Sequence, residues 1–263
     1  MRGSSGSHCV ASDNEPLTDL TRALGDAKRA VFFTGAGIST ASGIDDFRSP
    51  GGVWSRMTPI EFADFVADEA VRLEDWRRRF RFAREFAAAQ PNVAHLYIGA
   101  QVRGGAHLVT QNIDGLHARA GAVRERTAEL HGSGMGASCL ECGVPYDLDD
   151  LEARIEATGR APTCDRCGAL VKANVVSFGQ PMPETVLRRA AEWCSGADLM
   201  VCVGSSLVVN PAARLPLLAK RNGATLAIVN RDPTPLDAVA DIRLDGDIVA
   251  IFGALAEDRG AEV

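Results

Sequence analysis

Residues 30–39 read AVFFTGAGIS, an apolar run that ends in a glycine-alanine-glycine turn. The run Ala30–Thr34 predicts a buried strand, and Gly35-Ala36-Gly37 follows it directly. Glycines immediately after a strand let the backbone approach a pyrophosphate, with peptide N–H groups and a helix N-terminus aimed at the negative charge. The third glycine of the usual dinucleotide fingerprint is out of register, so a tight strand-to-helix turn stays the alternative interpretation.

Four further apolar runs, rich in β-branched residues, alternate with helical patterns along the chain. They are residues 106–110, 174–178, 198–203 and 224–230. This alternation is typical of a parallel sheet covered by helices, and it predicts a Rossmann-like, doubly wound α/β fold. In such a fold ligands bind at the carboxyl ends of the strands, where several of these runs end in Gly, Asn or Asp.

Two inserts interrupt the pattern and predict a smaller second domain. Residues 54–104 form a helical insert, because Trp76, Phe80 and Ala87 recur at helical spacing while neighbouring arginines form a solvated face. The second insert, residues 134–173, is a metal-binding module. The predicted sheet domain comprises residues 16–53, 105–133 and 174–256, with tails at 1–15 and 257–263.

Four of the seven cysteines form two Cys-x-x-Cys pairs. The pairs are Cys139/Cys142 and Cys164/Cys167, and their separation is close to that of a zinc ribbon. Thiolates suit tetrahedral Zn²⁺, and four of them leave no open position for a substrate or water. The sequence therefore predicts one structural zinc ion. A redox-active dithiol is the alternative, which the spacing favours less.

The overall composition excludes several classes of protein. The chain has 263 residues, a formal net charge of −6 and a pI near 5.4, which argues against nucleic acid or an acidic membrane as partner. No apolar run approaches the roughly 18 residues of a membrane helix, and the first residues lack the apolar core of a secretory signal. An odd number of cysteines with metal-type spacing indicates a reducing compartment, so we predict a cytoplasmic protein.

Polar loops follow the predicted strands. Residues 42–49 place an acid, an aromatic residue and an arginine in a Gly- and Ser-rich loop suited to cover a charged ligand. Residues 111–114 offer amide and carboxylate groups that can bind ribose hydroxyls or a carboxamide. His131 can serve as a general base because the unperturbed histidine pKa lies near 6.5, although a structural role is the alternative. Two later strands end in Gly204-Ser205-Ser206 and in Asn230.

Taken together, these segments closely resemble the sirtuin (Sir2) family of NAD-dependent protein lysine deacylases, of the bacterial type. The resemblance extends in order from about residue 30 to residue 252. Besides both cysteine pairs, it is carried by Gly35-Ala36-Gly37-Ile38-Ser39, Gly43-Ile44-Asp45-Asp46-Phe47-Arg48, Gln111-Asn112-Ile113-Asp114, Leu130-His131-Gly132, Val175-Val176-Ser177-Phe178-Gly179, Gly204-Ser205-Ser206-Leu207 and Val229-Asn230. Each segment alone is common, but the set in this order is highly specific.

The resemblance implies that NAD⁺ binds as co-substrate between the sheet domain and the small domain. The implied NAD-binding residues are Gly35, Ala36, Gly37, Asp46, Phe47, Arg48, Gln111, Asn112, Ile113, Asp114, Gly204, Ser205, Ser206, Asn230, Asp247 and Ile248. The implied catalytic residues are His131, as the base, with Asn112 and Asp114. An acylated lysine of a protein or peptide would add its backbone as a strand beside Val176, Ser177, Phe178 and Gly179.

The implied reaction converts NAD⁺, acyl-lysine and water into nicotinamide, free lysine and 2′-O-acyl-ADP-ribose. A mono-ADP-ribosyltransferase with the same pocket and a non-catalytic NAD or ADP-ribose sensor are the alternatives. Asp45 stands where relatives usually carry proline, and Gln180 where they carry glutamate. We expect Asp45 to loosen the loop and to add negative charge near nicotinamide. Relatives that favour succinyl or malonyl use a tyrosine and an arginine on the helical insert; Trp76 and Arg79 match them loosely, so acetyl or a longer apolar acyl group is expected.

Overall fold

A computed structural model describes residues 15–258, so most of both predicted tails lies outside the described residues, although Glu15 begins a helix. Within the described residues the chain forms nine strands: β1 (Ala30–Thr34), β2 (His107–Thr110), β3 (Thr127–Glu129), β4 (Gly132–Cys139), β5 (Pro145–Tyr146), β6 (Val171–Val175), β7 (Leu199–Val203), β8 (Thr225–Val229) and β9 (Ile242–Leu244). The α-helices are α1 (Glu15–Asp26), α2 (Val53–Arg56), α3 (Phe62–Ala67), α4 (Glu69–Ala88), α5 (Val93–Arg103), α6 (Leu116–Arg119), α7 (Leu148–Thr158), α8 (Glu184–Gly196), α9 (Arg214–Arg221) and α10 (Ile248–Asp258). Short 3₁₀ segments lie at Ala36–Ser42, Arg124–Arg126 and Asp237–Val239.

The larger sheet has six parallel strands in the order β3-β2-β1-β7-β8-β9. Strand order runs outward in both directions from the central pair β1 and β7. A crevice therefore opens above the carboxyl ends of these two strands, which is where doubly wound sheets bind their ligands. The predicted Rossmann-like parallel sheet is confirmed.

The apolar run of β1 forms the centre of both cores. Phe32 faces one side of the sheet and packs with residues of α1, α5 and α10, whereas Phe33 faces the other side and packs with α8 and α9. Both side chains are completely buried. Burial of one such phenylalanine stabilises a fold by about 1.5–3 kcal/mol relative to an exposed one.

The smaller sheet has three antiparallel strands in the order β5-β4-β6. The prediction that residues 174–178 belong to the parallel sheet was wrong, because the actual strand β6 pairs with β4. Its buried residues Val171, Ala173 and Val175 pack into the core of the small domain. Sequence reasoning also missed β3 and β9, which have only three residues each.

Helices α3 and α4 of the insert cover the smaller sheet. Trp76, Phe80 and Phe86 of α4 are buried against it. Ala87, predicted on the same face, is exposed. Helix α5 packs differently, because its apolar residues join the core beside Phe32 of the larger sheet. Among the described residues, no helix combines the length and apolar character needed to cross a membrane.

Two chain segments connect the sheets, and they run side by side. His131 precedes β4 and Val176 follows β6, and the N–H of Val176 donates to the carbonyl of His131 at 2.9 Å. Gly132 and Val175 are paired in the next register position. The two sheets are therefore joined by a short paired stretch of backbone, whereas the helical insert is joined to the larger domain separately, after β1 and before β2.

Candidate functional site

A cavity of about 900 Å³ lies above the carboxyl ends of β1, β2, β7 and β8 and extends to the small domain. Its wall contains nearly all the predicted site residues outside the cysteine cluster: Gly35, Ala36, Gly37, Asp46, Phe47, Arg48, Gln111, Asn112, Ile113, His131, Val176, Ser177, Phe178, Gly179, Gly204, Ser205, Ser206, Asn230, Asp247 and Ile248. Asp114 is the exception and lies behind the wall. The fold thus brings together segments that are far apart in the sequence.

The glycine turn crosses the loop after β7 at very short range. The N–H groups of Gly35 and Gly37 donate to the carbonyls of Val203 and Gly204 at 3.1 and 2.9 Å. A Cβ atom on Gly37 would lie 2.8 Å from the Gly204 oxygen, which no real side chain tolerates. These two glycines therefore serve close backbone packing, and their own N–H groups are already used within the protein.

The loop of residues 43–56 covers one side of the cavity. Asp46 fixes its turn, because the carboxylate accepts hydrogen bonds from the backbone N–H groups of Arg48 and Ser49 at 2.9 and 2.7 Å. Burial opposes ionisation here, but the hydrogen bonds from Ser49 and Arg48 prevail and lower the pKa of Asp46. Phe47 packs on Trp54 with ring centroids 5.2 Å apart. The loop therefore presents an ordered aromatic wall to the cavity.

Asp45 has a different place from the one expected. Its side chain pairs with Arg56 at the other end of the loop, and both are more than half exposed. It does not belong to the cavity wall. The side chain of Asp45 thus stays outside the cavity wall, and its ion pair with Arg56 joins the two ends of the loop.

His131 lies in the cavity wall where the two domains meet. Its Nδ1 lies 3.0 Å from the carbonyl oxygen of Gln111. Because a carbonyl only accepts, Nδ1 carries the proton and Nε2 keeps its lone pair. Burial lowers the pKa of His131; the hydrogen bond to Gln111 opposes this shift, and the charge of Arg48 adds to it. The ring is therefore neutral and basic at physiological pH.

Asn112 lines the cavity, whereas Asp114 lies behind it and is almost fully buried. The Asp114 carboxylate accepts from the hydroxyl of Ser39 at 2.7 Å and from the N–H of Leu116 at 2.9 Å. Burial raises the pKa of Asp114, although these hydrogen bonds and Arg119 oppose the rise. Ser39 was not among the predicted site residues, even though it belongs to the glycine-turn motif.

The wall opposite the glycine turn is the segment after β6. Phe178 is exposed at its tip and packs edge-on against Trp54 at 5.8 Å. Its carbonyl accepts from the N–H of Phe62 at 2.8 Å, so the insert is attached to this segment. Gln180 accepts the N–H of Ser177 through its side-chain oxygen at 3.1 Å. An amide oxygen thus fills the acceptor role that a carboxylate could have at this position.

The four cysteines of the Cys-x-x-Cys pairs converge at the end of the small sheet. Their sulfur atoms all lie within 4.8 Å of one another. The Cys139–Cys167 and Cys142–Cys164 sulfur pairs are each 3.5 Å apart. Four thiols at this separation fit a tetrahedral Zn²⁺ with bonds of about 2.3 Å. Each of these short distances joins a cysteine of the first Cys-x-x-Cys pair to a cysteine of the second. One ion would therefore hold both cysteine-bearing loops of the module together.

Residues 35–211 match the Sir2 family, which is more than half of the chain. The chain belongs to the Sir2 family. It is 47% identical to NAD-dependent protein deacetylase 1 of Bradyrhizobium diazoefficiens, over 93% of this chain and 95% of the relative. It is 38% identical to the NAD-dependent protein deacylase of Aeropyrum pernix, over 95% of this chain and the full length of that protein. The resemblance inferred from the motifs is confirmed.

Solved Sir2 structures match this fold over nearly its whole length. A complex of Sir2 with a p53 peptide and NAD⁺ superimposes with a TM-score of 0.79 at 36% identity, covering 93% of this chain and 98% of the other. A Sir2 complex with deacetylated p53 peptide and 3′-O-acetyl ADP-ribose gives a TM-score of 0.82 at 35% identity, covering 94% and 99%. At these identities the likeness extends beyond fold to the arrangement of the two domains in this Sir2 protein.

The cysteine cluster predicts a metal requirement for stability. Protein purified without chelator should contain one zinc per chain by elemental analysis. Cys142→Ser should lose the metal and unfold at a markedly lower temperature, because structural zinc contributes on the order of 10 kcal/mol to folding. Cys194→Ala, which alters a buried cysteine outside the cluster, is the matched control and should keep its zinc. A metal-free wild-type protein of normal stability would contradict the assignment.

The Asp45–Arg56 pair predicts a measurable effect on the loop. Asp45→Asn or Arg56→Gln should raise the KM for NAD⁺ about two- to fivefold, because an exposed pair contributes up to about 1 kcal/mol. The double variant should be no worse than either single variant, and the effect should fade at high salt. Arg77→Gln breaks an exposed pair with Glu74 on α4 and serves as the control. Additive effects of the two loop substitutions would count against the pairing.

Proposed function

We propose that the cavity is the active site of an NAD-dependent protein lysine deacylase, with His131 as its base. The observation that carries this proposal is the state of His131. Its Nδ1 is fixed by the Gln111 carbonyl, and its ring lies in the cavity between the glycine turn and the segment after β6. The family membership and the names of the relatives support the same activity.

NAD⁺ occupies the sheet side of the cavity. Its phosphates would be held by Ala36 and by the loop Gly204-Ser205-Ser206, which line the cavity beside the glycine turn. Asn230 binds the adenosine ribose, and the start of α10 at Asp247 and Ile248 borders the adenine. The nicotinamide end reaches toward Gln111, Asn112 and Ile113, beneath the loop that carries Phe47 and Arg48.

NAD⁺ supplies an activated ribose carbon, from which nicotinamide departs as the acyl oxygen of the substrate attacks. The protein excludes water from this carbon with the aromatic wall of Phe47 and Trp54. His131 then accepts a proton at Nε2 from a ribose hydroxyl, which lets the 2′-oxygen attack the acyl carbon. A water molecule then adds to the acyl carbon as the lysine amine leaves, so free lysine, nicotinamide and 2′-O-acyl-ADP-ribose are the products.

The acyl-lysine segment enters from the small domain. Its backbone adds as a strand beside residues 176–179, and the exposed ring of Phe178 contacts the substrate next to the acylated lysine. Solved Sir2 structures with TM-scores of 0.78 include complexes with an acetylated and a propionylated peptide. These complexes support a protein or peptide substrate for this chain.

The acyl group itself points toward the helical insert. A side chamber of about 40 Å³ adjoins the cavity and is walled by apolar groups that include Ile60, Phe82 and Phe86. Arg79 lines both spaces, but its guanidinium is paired with Asp75 at 3.1 Å, and that carboxylate is almost fully buried. Arg78, which also lines the chamber, is paired with Glu74. Because both arginines of the chamber already have carboxylate partners, we favour acetyl and short apolar acyl groups over those that end in a carboxylate.

The two rival functions are less well supported. A mono-ADP-ribosyltransferase or a non-catalytic NAD sensor would share this pocket, but the relatives that match over nearly their whole length are named deacetylases and deacylases. Mass spectrometry of the small products after incubation with NAD⁺ and acyl-lysine peptides separates the three. Peptide-dependent 2′-O-acyl-ADP-ribose supports the deacylase, whereas ADP-ribose attached to protein supports the transferase. The cytoplasmic location stays a prediction.

His131→Ala should lower the deacylation rate at least about 100-fold, the usual effect of losing a general base, while NAD⁺ binding by calorimetry stays within a few-fold. In the wild-type protein the rate should fall as the pH drops below the lowered pKa of His131, since only the neutral ring can accept the proton. The acidic limb of the rate profile should therefore lie below pH 6.5. Full activity of His131→Ala would remove His131 from the mechanism.

The Asp75–Arg79 pair sets the expected acyl preference. Wild-type protein should process acetyl- and propionyl-lysine peptides at least about tenfold better than succinyl-lysine, judged by kcat/KM. Asp75→Asn frees the guanidinium and should narrow this ratio, together with some loss of stability because a buried pair is broken. Arg77→Gln breaks an exposed pair on the same helix but leaves both arginines of the chamber paired, and it should leave the ratio unchanged. A wild-type preference for succinyl would overturn the argument.

A further inference from the structure

A buried polar network lies directly behind the cavity wall. Ser39 and His95 are completely buried, and Asp114 and Asn112 nearly so. They come from the turn after β1, from α5 and from the loop after β2. Asn112 alone of these four lines the cavity. The network therefore meets the cavity through a single amide side chain.

The proton positions in this network follow from its donors and acceptors. The Asn92 N–H donates to Nδ1 of His95 at 3.3 Å, as part of the capping box that begins α5. Burial lowers the pKa of His95 to about 4, so the ring is neutral and has one proton. That proton must be on Nε2, which lies 3.4 Å from the Ser39 hydroxyl oxygen. His95 is thus a fixed donor to Ser39.

The Ser39 hydroxyl links the fixed donor His95 to Asp114 and Asn112. Its single proton is donated to Asp114 at 2.7 Å. Its oxygen can then only accept, and it accepts from His95 and from the Asn112 side-chain nitrogen at 3.1 Å. The NH₂ end of the Asn112 amide is therefore held inward, and the carbonyl end is left for the cavity.

We propose that His95 is a positioning residue that acts through Ser39 to hold the Asn112 amide with its carbonyl oxygen facing the nicotinamide ribose. This inference rests on the proposed function. A carbonyl dipole held there accepts a hydrogen bond from a ribose hydroxyl and stabilises positive charge that develops on the ribose carbon as nicotinamide leaves. Asp114 anchors the inner end of the network, where it accepts from the Ser39 hydroxyl and is also hydrogen-bonded to the Asn112 side chain.

The charged groups around Asp114 determine how the network responds to pH. Arg119 of α6 favours its ionised form, and the Glu129 carboxyl at the end of β3 opposes it. His95 and His117 both face the network as neutral rings, because burial lowers the pKa of each. Ionised Asp114 keeps Ser39 donating inward. As the pH falls through the raised pKa of Asp114, its carboxylate is protonated and no longer fixes the Ser39 hydroxyl as a donor.

His117 provides a matched control. It is as deeply buried as His95, and the two rings lie 4.9 Å apart. Its Nε2 bonds to the Thr34 hydroxyl at 2.9 Å and not to Ser39. The Thr34 hydroxyl in turn donates to Thr110, which accepts from the backbone N–H of Asn112. Substituting His117 therefore reaches Asn112 only through its backbone, and it leaves the donors to the Ser39 hydroxyl in place.

The test measures exchange of labelled nicotinamide into NAD⁺ with an acetyl-lysine peptide present, across pH 5–9, for folded variants matched by circular dichroism. This step precedes the proton transfer to His131 and so isolates the network. His95→Phe keeps a ring but no donor, and should lower kcat/KM for NAD⁺ about tenfold, the effect of one hydrogen bond in a charged network. The acidic limb of the pH–rate profile of His95→Phe should move to higher pH by up to about one unit. His95→Gln retains a donor and should recover most of both losses.

The inference would be overturned if His95→Phe kept the wild-type kcat/KM and the wild-type acidic limb of the pH profile. It would also be overturned if His117→Phe lost as much kcat/KM as His95→Phe, or if His95→Gln were as slow as His95→Phe. If His95→Phe does not fold, Ser39→Ala removes only the hydroxyl and carries the same expectation. Absence of exchange in the wild-type protein would overturn the proposed function and this inference with it. Wild-type exchange that His95 variants leave unchanged overturns the inference alone.

Discussion

The crossing of two backbone loops at Gly37 and Gly204 is the contact on which the rest of the structure depends. The two chains approach so closely that neither position has room for a Cβ atom. This contact continues the pairing of β1 and β7 beyond their carboxyl ends, at the place where strand order diverges and the crevice opens. Each later feature of the site, from the covering loop to the His131 side chain, is built around the space above this crossing.

Several charged side chains around the cavity are already paired or hydrogen-bonded within the protein. Asp46 is bonded to the backbone of its own loop, Arg79 is paired with Asp75, and Asp114 is turned inward toward Ser39. The neutral His131 ring and the Asn112 amide face the cavity near its centre, with the guanidinium of Arg48 close to His131. A site of this kind suits a reaction whose leaving group is neutral and whose transient positive charge must be met by dipoles that are already oriented.

The sequence predicted the features that local chemistry alone determines. Residues 30–37 and the four cysteines could be assigned because an apolar run followed by glycines, and paired thiols, each have few physical solutions. The run at 174–178 was placed in the wrong sheet, since an apolar run specifies a strand but not its partner. The partner of Asp45 lies 11 residues away, and the position of Asp114 behind the wall depends on Ser39, which is 75 residues away. The Asp75–Arg79 pair, by contrast, is a local contact four residues apart on α4. His95 gave no signal at all, because its role depends on a helix cap at one ring nitrogen and a serine at the other.

The paired backbone at His131 and Val176 has a mechanical consequence. Strand β4 starts one residue after His131 and ends at Cys139, so its eight residues form an arm roughly 25 Å long. If the small domain turns about this junction to admit a substrate, displacement grows with distance along the arm. In such a rotation the cysteine end would move farthest and the His131 ring least. The proton acceptor would then keep its alignment with the larger domain whether the small domain is open or closed.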